Sequence, residues 1–150
     1  SKAGGLMLRN FLSPSDELGA LLQADGFQEG ARGSLPKAAM EYCREYQFDN
    51  RAQPRRWRFD FVFNAQLAVE VDGGTWGVYG GKRCRSCGHV PVGGHSRGRG
   101  YQNGCDKANM ATLQGWRLLR FTPADIKRGE ANRVICTALN VKTAREKGRP

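Results

Sequence analysis

Three carboxylates fall within two short runs that alternate apolar and polar residues. Asp60 lies in Trp57 to Asn64, and Glu70 and Asp72 lie in Leu67 to Asp72. In the first run Trp57, Phe59, Phe61 and Phe63 alternate with Arg58, Asp60, Val62 and Asn64; in the second Leu67, Val69 and Val71 alternate with Ala68, Glu70 and Asp72. Both read as half-buried strands, and the link Asn64-Ala65-Gln66 makes them a hairpin. A slip of one residue would turn one apolar set to solvent, so Phe63 must share a face with Leu67. That register sets Asp60 opposite Glu70 and Arg58 opposite Asp72. Like charges about 5 Å apart on neighbouring strands destabilise a sheet unless something neutralises them. Two such carboxylates suit a divalent ion with a preference for oxygen, such as Mg²⁺, whose shell is completed by water or phosphate. The plainer reading is a solvated sheet face, with Asp72 paired to Arg58.

The elements that position these groups follow from local signals. Ser13-Pro14-Ser15-Asp16 starts a helix that Gly26 stops, with Leu18, Leu21 and Leu22 as its buried stripe. Gln28 to Pro36 is a loop, Lys37 to Tyr42 a short helical turn and Arg44 to Phe48 a weak strand. From Gly73 to Gly104 there are eleven glycines in 32 residues, five bases and no acid. A basic loop of about residues 77–100 is therefore expected, long enough to be functional or disordered. Asn103 to Gly115 reads as a helix, Trp116 to Phe121 as a buried strand, and Thr122-Pro123-Ala124-Asp125 as a further helix start. Glu130 to Lys147 closes the chain as a helix with Val134, Ile135, Ala138 and Leu139 inward.

The chain has 150 residues, 24 Lys+Arg against 14 Asp+Glu and a net charge of +10. One domain over 1–150 is the default at this length. Ser1 to Gly5 reads as a flexible leader. No window of 18 apolar residues or secretory signal is present, so a soluble, intracellular, cytoplasmic protein is expected, without a membrane partner. Residues 1–75 hold 9 bases and 10 acids, and residues 76–150 hold 15 bases and 4 acids. The basic half favours a polyanionic partner.

Taken together, Arg58-Phe59-Asp60-Phe61, Leu67 to Gly74, Gly94-His95-Ser96-Arg97-Gly98-Arg99-Gly100, Cys105-Asp106-Lys107-Ala108-Asn109 and Gly115 to Phe121 resemble a compact PD-(D/E)XK nuclease. The branch is the small, often phage-encoded one related to very-short-patch-repair endonucleases. The resemblance implies an α/β, restriction-endonuclease-like core of helix, three antiparallel strands, helix and strand, with the glycine-rich basic loop inserted. It implies a Mg²⁺- or Mn²⁺-dependent DNA endonuclease, acting in repair, recombination or processing of branched, mismatched or single-stranded DNA. For a phage-encoded chain the compartment would be the host cytoplasm.

In that family's pattern Asp60 and Glu70 match the two motif acids, with Asp72 and Glu17 as further candidate Mg²⁺ ligands, and Asp72 stands where a lysine is common. Lys107 is the candidate for a relocated lysine, and Glu17 falls where the first helix often supplies another acid. His95 or Lys107 would orient water or stabilise the transition state. Lys107 on an exposed helix face has an equally plain reading as a solvated lysine.

The Gly-Arg-Gly alternation lets backbone approach phosphate closely, so Lys82, Arg83, Arg85, Arg97 and Arg99, with Arg58, are candidate nucleic-acid contacts. Cys84-Arg85-Ser86-Cys87 with His89 is half of a zinc site that Cys105 or His95 would complete; a reduced pair is the alternative. Cys43 and Cys136 read as core thiols. Double-strand cleavage would require two sites and hence a homodimer. A binding protein of the same fold and a nuclease acting on RNA are the rival functions.

Overall fold

The computed structural model describes residues 12–72 and 99–147. Its elements are α1 (Pro14–Ala24), β1 (Gln28–Glu29), β2 (Glu41–Gln47), β3 (Arg58–Phe63), β4 (Leu67–Val71), α2 (Arg99–Leu113), β5 (Arg117–Phe121), α3 (Pro123–Lys127), α4 (Glu130–Leu139) and α5 (Ala144–Lys147). The five strands form one mixed sheet in the order β1-β2-β3-β4-β5. β2, β3 and β4 run antiparallel, and an edge strand joins each side in parallel. Among the described residues no helix is long and apolar enough to cross a membrane.

Helix ends follow side-chain chemistry. Ser13 Oγ accepts the Asp16 N–H at 3.2 Å, and Pro14 occupies the first turn, where a missing donor costs nothing. Thr122 and Asp125 form a reciprocal capping box before α3. The long closing helix expected over Glu130 to Lys147 is broken. Asn140 takes a left-handed conformation (φ 53°), and the Val141 N–H returns to the Cys136 carbonyl at 3.0 Å. Thr143 then restarts the chain as α5 through a second reciprocal cap with Glu146. Asn tolerates that backbone better than most residues because its short side chain clashes little.

Two apolar layers cover the sheet, an α/β arrangement. On one face Phe61, Phe63, Leu67, Val69 and Phe121 pack with Leu18 and Leu22 of α1, Ile126 of α3 and Ile135 of α4. On the other, Cys43, Phe59, Val62 and Ala68 pack with Phe48, Trp57 and Ala111 of α2. Full burial of each large side chain contributes about 2–3 kcal/mol before entropy is counted. Cys43 and Cys136 are both buried, free thiols.

Three local expectations are corrected. Lys37 to Tyr42 is no helical turn, because β2 begins at Glu41 and runs to Gln47. α2 begins at Arg99, four residues before the expected start. Trp57, Phe59, Phe61 and Phe63 do not share one face: the first two belong to the α2 layer and the last two to the α1 layer. The alternation breaks at Asp60.

Candidate active site

The break has a visible cause in the ladders on either side of Asp60. Toward β4, pairing runs Phe63–Leu67, Val62–Ala68 and Phe61–Val69 and stops there. Toward β2, Arg44 pairs with Phe61 and Tyr46 with Phe59, and Glu45 between them is skipped. Glu45 is left-handed at φ 54°, a costly conformation for a residue with a long side chain. Released from both ladders, Asp60 turns its carboxylate to β4, where Oδ2 accepts the Val71 N–H at 2.7 Å. The carboxylate thus replaces a backbone acceptor in the sheet.

Glu70 immediately precedes that donor and follows the register that sets Asp60 across from it. Lys107 reaches both strands from α2: its ammonium donates to Glu70 Oε1 and to the Arg58 carbonyl, each at 2.5 Å. Lys107 lies one helical turn before the buried Ala111, and residues four apart share a helix face. It therefore points into the α2 layer, with its ammonium 5.6 Å from the Phe59 ring centre. The Lys107 and Glu70 side chains are 20% and 18% exposed, so the expectation of a solvated lysine gives way to a largely enclosed ion pair.

The electrostatics are those of carboxylates short of compensation. The Glu70 pKa is raised to about 7: burial is the main cause, Asp60 and Asp72 add to it, and Lys107 opposes it. Burial also raises Asp60, opposed by the Val71 N–H and Lys107, while Glu45 adds to the rise. Desolvation and like charge each favour the protonated form. Carboxylates raised at one position of a sheet are a common mark of functional chemistry.

Asp72 is placed differently from the expected pair with Arg58. Both its oxygens accept from Arg120 of β5, at 2.9 and 3.0 Å, in the fork geometry that guanidinium and carboxylate share. β5 pairs with β4 in parallel and sets Arg120 beside Glu70, a long-range neighbour that hairpin register cannot reveal. Glu17 lies partly exposed on α1, the helix packed on the sheet face opposite α2. Among the described residues no three histidine, cysteine, aspartate or glutamate side chains converge as a ready-made metal group. Asp72 is thus held by Arg120 while its charge still acts on Glu70, and Glu17 stands in the opposite helix layer.

Asp60 and Glu70 nevertheless fit a hard divalent ion. Both offer only oxygen, and both are raised by burial with a like charge adding to the rise, Glu45 for Asp60 and Asp60 for Glu70, which a cation would relieve. Mg²⁺ commonly uses few protein carboxylates with water and phosphate. His95, Lys82, Arg83, Arg85, Arg97 and the Cys84, Cys87 and His89 zinc candidates lie outside the described residues. Cys105 is a free, partly buried thiol on α2, and Arg99 is the first residue of that helix.

Sequence reading missed two contributors, Glu45 and Arg120. Neither had a local signal, since each reaches the site through pairing with a strand distant in sequence. No protein-family profile, curated protein or solved structure matches the chain.

Proposed function

We propose that the protein is a metal-dependent DNA endonuclease of the restriction-endonuclease-like class, with Asp60 and Glu70 as metal ligands and Lys107 beside them. The observation that carries the reading is the convergence of Asp60, Glu70 and Lys107 where β3 parts from β4. An aspartate, a second acid and a lysine are the groups that the resemblance names for this chemistry. Here the lysine arrives from α2 instead of from the strand.

A Mg²⁺ or Mn²⁺ ion held by Asp60 and Glu70 would supply charge neutralisation at the scissile phosphate and acidify a water. The chain's own groups do the rest. Val71 N–H fixes one Asp60 oxygen and leaves the other for the ion. Lys107 opposes the rise that burial gives the Glu70 pKa and would place a positive charge where negative charge builds on phosphate. The enclosed α2 layer limits water around that charge, which strengthens its effect.

A cleavage panel of linear, single-stranded, mismatched and four-way DNA, with duplex and single-stranded RNA alongside, in Mg²⁺ or Mn²⁺ tests the proposal, with Asp60→Asn as control. Asn keeps the shape and one acceptor for Val71 but removes the charge. Metal-dependent cutting by the parent, lost in Asp60→Asn with DNA binding retained, is the expected result. Cutting retained by a clean Asp60→Asn preparation overturns it. Binding without cutting by the parent favours the binding protein, and cutting confined to RNA the ribonuclease.

A further inference from the structure

The connection between β2 and β3 contains Arg51, Arg55 and Arg56, with Arg58 opening β3. Its single acid, Asp49, is buried and turned inward to organise the loop. Asp49 accepts the Arg51 N–H at 3.3 Å, Arg51 Nε at 2.8 Å, an Arg51 terminal nitrogen at 2.6 Å and the Arg55 N–H at 2.8 Å. Four donors on one buried carboxylate fix the course of the loop from 49 to 55. Pro54 restricts it further by locking φ.

The loop is also fastened to α2. Trp57 Nε1 donates to Asn103 at 3.0 Å, and the Arg51 and Arg55 guanidinium groups lie 5.8 and 4.9 Å from the Trp57 ring centre. Arg55 also reaches Asp106 at 3.4 Å. Arg51, Arg55, Trp57 and Asp106, with Asn109 and the largely exposed Leu113, line a groove between loop and helix. Arg56 and Arg58 are exposed and have no ion-pair partner among the described residues.

We infer that this arginine loop, 49–58, is a preformed docking surface for the phosphodiester backbone of a nucleic acid, beside the carboxylates. The inference rests on the nuclease reading for the choice of polyanion. Charge complementarity selects the occupant: guanidinium groups bind phosphate through paired N–H donors, and while Arg51 is paired with Asp49 and Arg55 with Asp106, Arg56 and Arg58 have no acid partner among the described residues. Rigidity matters because arginines already held in place lose less freedom on binding. Position matters as well. Arg58 is two residues from Asp60, about 7 Å along an extended strand, and its carbonyl accepts from Lys107. A strand held on this loop would lead directly to the carboxylates.

The test measures binding of labelled DNA and RNA duplexes in EDTA, so that no hydrolysis intervenes, across a range of salt. The parent is compared with Arg55→Gln/Arg56→Gln and with Lys127→Gln/Lys142→Gln, which removes the same charge from exposed positions elsewhere. The loop variant should lose at least tenfold in affinity near 0.1 M salt and flatten the log-log salt slope by about 2 units, for either duplex, with the control near the parent. An unchanged slope, an equal loss in the lysine control, or a parent that binds neither duplex overturns the inference. Cleavage measured separately with Mg²⁺ distinguishes the two claims. A parent that docks through the loop without cutting refutes the nuclease alone, and one that cuts with binding unaltered in the loop variant refutes the docking surface alone.

Discussion

The Lys107 ammonium bonds at once to the Glu70 carboxylate on β4 and to the Arg58 carbonyl on β3. It spans the point where those strands cease to pair, since their ladder ends at Phe61 and Val69. One side chain thus stabilises the buried charge of Glu70 and closes the gap between the strands. Structural and catalytic roles for Lys107 make different demands on a substitution, which allows them to be separated.

Lys107→Met keeps length and packing but leaves Glu70 without its cation. Removing one partner of an enclosed ion pair costs more than the pair itself contributes, because Glu70, already raised to about 7 with its cation present, must then stay charged unpaired or take up a proton. With both side chains about one-fifth exposed, a loss of about 1–2 kcal/mol at pH 8 is expected, read by urea denaturation. Glu70→Gln/Lys107→Met should recover part of it. If Lys107 also acts in cleavage, as proposed, Lys107→Met loses cutting at temperatures where it is fully folded, and the double variant does not regain it.

Asp72 should behave differently from Asp60. Its two oxygens are occupied by Arg120, and that pair is largely exposed on the arginine side, so it contributes about 0–1 kcal/mol. Asp72→Asn is expected to melt close to the parent and, if the chain cleaves DNA as proposed, to keep cleavage within about tenfold, whereas Asp60→Asn would lose it. A collapse of activity in Asp72→Asn equal to that in Asp60→Asn would return Asp72 to the metal.

The hairpin and helix starts were legible because their signals are local: alternation across Trp57 to Asp72, and a capping side chain before each proline. Site features were less so. Asp60 and Glu70 could be set opposite one another from register alone, but the break in alternation at Asp60 depends on Glu45 leaving the β2 ladder. Arg120 reaches Asp72 only because β5 joins β4 after a connection of more than forty residues. Lys107 could have been turned inward from its spacing to Ala111, had the small Ala been read as a packing contact. The arginine loop was hidden by arithmetic: acids elsewhere in the first half cancel Arg51, Arg55, Arg56 and Arg58, so a near-neutral half concealed a concentrated basic edge.

Asp49 gives a pH signature. Arg51 foremost, then the backbone donors of Arg55 and Arg51, hold its carboxyl well below the usual carboxylate range despite burial. A folded pKa below the unfolded one means stability that is present above the unfolded pKa, near 4, and lost as pH falls through the folded value. Asp49→Asn should therefore melt lower than the parent at pH 7, and the gap should narrow steadily as pH is lowered from about 4 toward 2. A gap independent of pH would mean that Asn serves the same donors as well as the carboxylate does, with the charge irrelevant.

Gly115 ends the helix that carries Lys107 and lies against the turn of the hairpin that carries the carboxylates. α2 ends with the Trp116 N–H on the Ala111 carbonyl at 2.9 Å and Gly115 left-handed at φ 80°, a helix stop that favours glycine. A Cβ at 115 would stand 3.1 Å from Gln66 Oε1, while the Gln66 carbonyl accepts the Arg117 N–H at 2.9 Å. Gly115→Ala thus meets both a strained backbone and a tight neighbour in the hairpin turn. A loss of about 1–2 kcal/mol is expected, lowering the melting temperature by several degrees for a chain of this size. Adding Gln66→Ala should restore only the part due to contact, because the left-handed backbone remains. Full restoration would assign the cost to the Gln66 side chain and show that the turn at 115 tolerates Ala without strain.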